Sequence, residues 1–298
     1  MINTSKLIIE LAVIISLAIS TPYHFYDVFR HEYEMTINPE ITKNSLKKEG
    51  FSYIGTDAKG KLLSDIKITD ETDLFAEGQQ MQGYPGIIKY EDDVYTSRFG
   101  IDVSKFQGKI DFNKVKDAGV EFVIVRVGFR GYGKSGSLSE DARYRKNIEG
   151  ALAAGLDVGV YFYAQAIDEE EAIEEADFVL NLIDGYDLRL PIVYDPEHVL
   201  NDDARTDNVS GEQFTKNAMA FCNRISQAGY EPMIYANMLW EAYELDLNKL
   251  KDVKVWYADY ELLPQSPYKF DMWQYCQAGH ISGIDGAVDL NMMLCEKE

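Results

Sequence analysis

Cysteine is scarce in this chain: Cys222, Cys276 and Cys295 are the only three in 298 residues. Three thiols build no dense disulfide framework and leave at least one unpaired. Cys222 lies in a helix-like stretch and reads as a small buried hydrophobe, while Cys276 and Cys295 are left as a candidate pair. The four histidines, at 24, 31, 198 and 280, are scattered. No Cys/His group has zinc-ligand spacing, so neither a metal nor another cofactor is expected. A basic surplus is also missing. Lys and Arg number 29 against 50 Asp and Glu, for a formal net charge of −21. That argues against nucleic acid or an anionic membrane surface as a partner, since both require a basic face.

Long apolar runs are lacking as well. Leu7–Ile19 is interrupted by Glu10 and is too short to span a bilayer comfortably. Lys6 precedes it, and Ala18-Ile19-Ser20 resembles a small-residue cleavage site. Residues 1–20 therefore read as a signal peptide, with an uncleaved membrane anchor as the rival. Either places the remainder outside the cytoplasm, secreted or held at the cell surface.

What is present is a core-forming composition, 46% apolar, together with 20 Tyr. The Tyr surplus suits a carbohydrate cleft and ordinary packing equally. Residues 21–98 are polar and turn-rich and read as a stalk or small β-rich module. Phe51–Ile54 and Ile66–Ile68 are candidate strands, and Met81-Gln-Gly-Tyr-Pro-Gly86 is an extended connector.

From residue 99 the pattern changes. Phe99–Val103, Phe122–Val127, Val158–Tyr163, Ile192–Tyr194 and Met233–Tyr235 are short apolar runs of the kind that form buried parallel strands. Amphipathic stretches at Arg145–Ala154, Glu169–Ile183 and Gly211–Ala228 read as helices between them. Ala118-Gly119, Ala154-Gly155 and Ala228-Gly229 place glycine where a helix must end in a left-handed residue before the next strand. Three further strands, Val255–Ala258, Met272–Tyr275 and Ile284–Leu290, follow with little helix. Eight strands, five with helices and three without, predict an α/β fold of the irregular TIM-like (β/α)5(β)3 type over residues 99–298. In such barrels chemistry gathers at the C-terminal strand ends.

At those ends stand Asp102 and Asp195-Pro196-Glu197. Residues i and i+2 of an extended segment face the same side, about 6.5–7 Å apart at Cα. Paired carboxylates suit glycoside hydrolysis, in which one acid protonates the leaving oxygen and the other stabilises or attacks the cationic sugar. Their proximity should raise one pKa. The bland alternative is a pair of turn-capping or solvated acids.

Gly128-Phe-Arg-Gly131-Tyr-Gly133-Lys134-Ser135 matches the phosphate-loop template literally. That chemistry needs a helix to start at the Lys-Ser. Here loop-like residues follow, and a helix is expected only near Ser139, with Glu140 and Asp141 in its first turn. A mobile barrel-top loop is the better reading. Tyr161, Tyr163, Tyr235, Trp256, Tyr257, Trp273 and Tyr275 cluster at predicted strand ends, either to stack on sugar rings or to pack. Arg126, inside an apolar strand, requires a carboxylate partner in the barrel interior.

With these residues assembled, the chain from about Phe99 to Leu294 resembles glycoside hydrolase family 25, the muramidase and lysozyme family. The resemblance rests on Gly100-Ile-Asp102-Val-Ser104-Lys-Phe-Gln107-Gly108, Asn147 through Tyr161, Asp195-Pro-Glu197, Trp256-Tyr-Ala258, Trp273-Gln274-Tyr275 and Gly283 through Asn291. It implies cleavage of the β-1,4 bond between N-acetylmuramic acid and N-acetylglucosamine in peptidoglycan glycan strands. Glu197 would be the general acid. Asp195 would stabilise the reacting sugar or orient its 2-acetamido group, and Asp102 and Asp289 would complete an acidic ring beside Tyr163. Tyr161, Arg126, Tyr235, Trp256, Trp273 and Gln274 would line the substrate site. Phe112 and Pro196 depart from the family pattern, Phe112 where Trp is common and Pro196 where an apolar residue is usual. A monomer is the default expectation. A glycan-binding module without turnover on the same barrel is the alternative function.

Overall fold

The computed structural model describes residues 67–68, 86–91, 93–199, 202–260, 264, 266 and 268–297. The N-terminal run Leu7–Ile19 and the candidate strand Phe51–Ile54 lie outside the described residues. Lys67–Ile68 does form a short strand, antiparallel to Ile88–Lys89.

Eight strands make the barrel: β1 Tyr95–Val103, β2 Phe122–Arg130, β3 Asp157–Ala164, β4 Ile192–Pro196, β5 Pro232–Asn237, β6 Lys254–Ala258, β7 Met272–Gly279 and β8 Val288–Glu296. Pairing is parallel from β1 through β7. The last strand is antiparallel to both β7 and β1 and closes the ring. This corrects the expected run at Ile284–Leu290: the strand starts at Val288, and Ile284 lies in the turn before it. The connection 280–287 is too short for the crossover that a parallel partner needs, so the chain must reverse.

Helices α1 Phe112–Asp117, α2 Tyr144–Ala153, α3 Glu169–Ile183 and α4 Gly211–Gln227 follow β1 to β4. Beyond β5 a π-helical turn, Trp240–Glu244, is the one named helical element among the described residues. Asp168 and Ser210 cap α3 and α4 by accepting the backbone N–H of Glu171 and Gln213. Gly119, Gly155 and Gly229 all have positive φ, as their Ala-Gly punctuation predicted.

The barrel interior is filled in layers. Phe122, Ile124, Val193, Met233, Trp256, Met272 and Met293 form a buried cluster, with Tyr161 and Tyr235 packed against it. The Phe122 ring crosses directly over Gly100 of β1, where any side chain would collide with it. Cys222 is buried in α4, and all three cysteines are free thiols, so Cys276 and Cys295 do not pair. Phe112 is buried with its ring against Gly150 of α2. Residues 86–90 pack on this body: Ile88 and Tyr90 are buried, and the Tyr275 hydroxyl donates to the Gly86 carbonyl.

Candidate active site

Strand alternation decides which side chains reach the barrel mouth. On β7, Met272 joins the interior cluster and Gln274 faces the same way, so Trp273 between them points outward. Its indole N–H donates to the Asp259 carbonyl, its ring lies against Tyr275, and it is wholly buried. Trp273 therefore leaves the set of sugar-contacting residues. Trp256 leaves it for a different reason. It faces inward but lies one layer below the mouth, packed edge-on against Tyr161 and Tyr235, and is buried.

Above that layer the acids converge. Asp102 lies at the end of β1, Asp195 at the end of β4 with Glu197 just past it, and Asp289 at the start of β8. Antiparallel β8 brings its first residues to the mouth that the parallel strands reach with their last, so Asp289 sits in register with Asp102. The Asp102 Oδ2 accepts from Gln274 Nε2 at 2.8 Å and from Asn291 Nδ2 at 2.9 Å. Asn291 is held in turn by the Trp256 indole at 2.8 Å. Gln274 Oε1 accepts from the hydroxyls of Tyr235 and Tyr260, at 2.9 and 2.8 Å. The floor of the cleft is thus a hydrogen-bonded plate in which Trp256 positions Asn291 and Asn291 positions Asp102.

Asp195 is different. It is buried, it pairs in register with Tyr163 on β3, and its Oδ1 has no hydrogen-bond partner among the described residues. A buried unpaired carboxylate oxygen is costly. Burial, followed by the charges of Glu197 and Asp102, pushes the Asp195 carboxyl well above its usual range, against the pull of Arg126. Burial and the Asp102 charge raise Glu197 from 4.5 to about 7, again opposed by Arg126. Burial and Asp102 raise Asp289 to about 9. Tyr163 is also raised, by burial and by the charges of Glu197 and Asp195. The mouth therefore holds several carboxyls that keep a proton near neutrality, and one of them, Glu197, retains some exposure to solvent.

Arg126 finds its carboxylate, but on a loop. Its Nε and Nη2 donate to Asp141 Oδ2 at 2.9 and 2.8 Å. Asp141 also accepts the backbone N–H of Lys105 and of Arg143. The helix expected near Ser139 begins instead at Tyr144, because Leu138–Glu140 forms a strand hairpinned onto β2. The phosphate-loop match fails for the same reason. Its first three residues belong to β2, and a turn and a hairpin strand, with no helix, follow Lys134-Ser135.

Tyr260, Asn291 and Asp141 were missed in the sequence. Asn291 had a signal, since it stands two residues from Asp289 and shares its face. Tyr260 and Asp141 lie on loops, where no periodicity points to them. Among the described residues, no three His, Cys, Asp or Glu side chains group so as to hold a metal ion.

A closed eight-stranded α/β barrel with clustered, proton-retaining acids at the strand ends defines a glycosidase-type site. Residues 101–284 match the model of glycosyl hydrolases family 25, and the chain belongs to that family. The autolytic lysozyme of Clostridium acetobutylicum is 30% identical over 194 residues, which are 64% of this chain and 54% of that protein. The modular autolysin LytC of Streptococcus pneumoniae, solved in complex with a synthetic peptidoglycan ligand, is similar with 28% identity and a TM-score of 0.57. The match covers 66% of this chain and 46% of that one. A bacterial lysozyme from Streptomyces coelicolor, at 25% identity and a TM-score of 0.53, matches over 65% of this chain and 90% of its own. This chain spans about half the length of the first two relatives.

Proposed function

We propose that this protein is an N-acetylmuramidase that hydrolyses the β-1,4 bond between N-acetylmuramic acid and N-acetylglucosamine in peptidoglycan. Family membership and the lysozymes among its relatives support the reaction class. The observation that carries the reading is the pairing of the unpartnered Asp195 Oδ1 with a Glu197 carboxyl raised to about 7 on one strand end.

In this reading Glu197 donates its proton to the glycosidic oxygen as the C1–O bond breaks. The carbonyl oxygen of the sugar's own 2-acetamido group attacks C1 and forms a cyclic oxazolinium. The unpaired Asp195 oxygen accepts the acetamido N–H and so aims the carbonyl oxygen at C1. A water then attacks C1, gives its proton back to Glu197, and reopens the ring. Burial and the negative charge of Asp102 keep Glu197 protonated. Tyr163 and Tyr235 flank the acids and contact the sugar. The enzyme works outside the cytoplasm, as a monomer, with its N-terminal segment as leader or tether.

Clearing of purified peptidoglycan suspensions tests this, with Glu197→Gln as the control. Removing a general acid should slow lysis by about 10²–10⁴-fold. Lysis undiminished in the variant would sink the role given to Glu197. Binding without lysis by the unmodified protein would favour a glycan-binding module.

A further inference from the structure

The backbone at Glu197 has lost its sheet support. Strand β4 ends at Pro196, paired with Ala164 at the end of β3, so no further ladder pair serves the Glu197 carbonyl. The carbonyl of Glu197 is nevertheless satisfied by a side chain. The Gln165 carboxamide, one residue past the end of β3, donates its Nε2–H to the Glu197 oxygen at 2.6 Å.

Gln165 is itself held at every polar atom. Its Oε1 accepts the Thr206 hydroxyl at 2.9 Å. Its backbone N–H donates to Glu175 Oε1 at 3.1 Å, and its carbonyl accepts Arg205 Nη1 at 3.3 Å. Gln165, Thr206 and Glu175 are almost completely buried. Glu175 is anchored by Arg130 Nε at 2.8 Å, and Arg205 forks onto both oxygens of Glu171. A carboxamide with both ends engaged in a buried site cannot rotate freely, so its N–H stays aimed at one point. A side chain with one fixed rotamer is what holds a reacting group to a fraction of an ångström.

We infer that Gln165 is a positioning residue, which supplies the Glu197 carbonyl with the donor that β3, ended at Ala164, no longer gives, and so fixes the backbone from which the Glu197 carboxyl reaches the glycosidic oxygen. The inference rests on the role proposed above for Glu197. It assigns Gln165 no contact with substrate. Its effect belongs in turnover and not in binding, because the substrate is gripped by other groups of the cleft.

The test uses Gln165→Glu and Gln165→Met beside Glu197→Gln, in the full chain, with initial rates of peptidoglycan clearing as the readout. Gln165→Glu has the same shape. Ionised, it has no donor for the Glu197 carbonyl. Protonated, it regains one, with its other oxygen still free to accept from Thr206. Its rate relative to the unmodified protein should therefore recover as pH is lowered, from about 10-fold down at pH 8 to near parity at pH 5. Gln165→Met has no donor at any pH and should stay down by about 10–100-fold in kcat, with KM changed less than about twofold. Circular dichroism at each pH keeps loss of fold separate. Parity of both Gln165 variants with the unmodified protein, while Glu197→Gln is inactive, overturns the inference alone. A pH-independent loss in Gln165→Glu that tracks loss of folded protein overturns it too. An active Glu197→Gln overturns the inference together with the reading beneath it.

Discussion

Asp102 and Asp289 face each other across the antiparallel seam that closes the barrel, and their carboxyls hydrogen-bond to one another. Two carboxyls can do so only if one is protonated. Asp289, raised to about 9, is the one that keeps the proton, while Asp102 takes donors from Gln274 and Asn291 as well. The pair thus presents one negative charge beneath Asp195 and Glu197, held by a closed set of donors. That charge raises the carboxyls above it.

The first prediction concerns rate against pH. The general acid works only while protonated, so clearing should fall as pH rises through about 7, where Glu197 gives up its proton. The Asp102 charge contributes to that high value. Asp102→Asn should move the alkaline limb toward acid, by on the order of one unit for one neighbouring charge. Rate profiles at constant ionic strength check both. A limb that stays in place in Asp102→Asn contradicts the coupling.

The second prediction links the cleft to stability. Asp289 is raised in the folded state from 3.8 to about 9, so the folded protein binds this proton more tightly than the unfolded chain does. Stability from the group is complete below about pH 4 and is lost as the pH climbs toward 9. Asp289→Asn keeps a donor for Asp102 and cannot ionise. It should melt higher than the unmodified protein at pH 8, by about 2–4 °C per kcal/mol regained in a domain of this size, and no higher at pH 4. Thermal melts at the two pH values decide it.

A third expectation separates the routes open to the sugar. If the 2-acetamido group attacks C1, the first product keeps the β configuration, and glycan whose muramic acid is N-deacetylated resists cleavage. Asp195→Asn should lower kcat by about 10²–10³-fold, because a carboxamide puts an N–H donor at one of the two positions where the acetamido N–H needs an acceptor. Proton NMR of the fresh reducing end reads the anomer directly. An α product rules out this route.

The fourth prediction is purely structural. Gly229 has φ +87° with nothing within 4 Å of where a Cβ would stand. Gly229→Ala therefore tests backbone conformation alone and should cost about 1–2 kcal/mol of stability. The turnover number should be unchanged, since α4 and β5 still meet in the same register. Chemical denaturation and initial rates together check the split.

Much of the barrel was legible because its signals are local. Buried parallel strands are short apolar runs, helices repeat their apolar face every three or four residues, and Ala-Gly marks their ends. Strands β1 to β7, α3 to the residue, and the acids Asp102, Asp195 and Glu197 follow from such patterns. The direction of the last strand did not, because strand polarity is set by where the chain can return and not by its own residues. The hairpin after Arg130 read as loop and helix for a similar reason: Asp141 is drawn inward by Arg126, a residue fifteen positions earlier.

At the site, the residue types alone named the acids, because Asp102, Asp195 and Glu197 fall at or just past the ends of apolar runs. The tertiary structure alone decided their standing. It sent Trp273 outward and Trp256 below the mouth, paired Asp289 with Asp102, left one oxygen of Asp195 without a partner, and put Gln165 under the carbonyl of Glu197. Those outcomes depend on burial and on neighbours far apart in the chain. Both act through space, where residue order carries no record of distance.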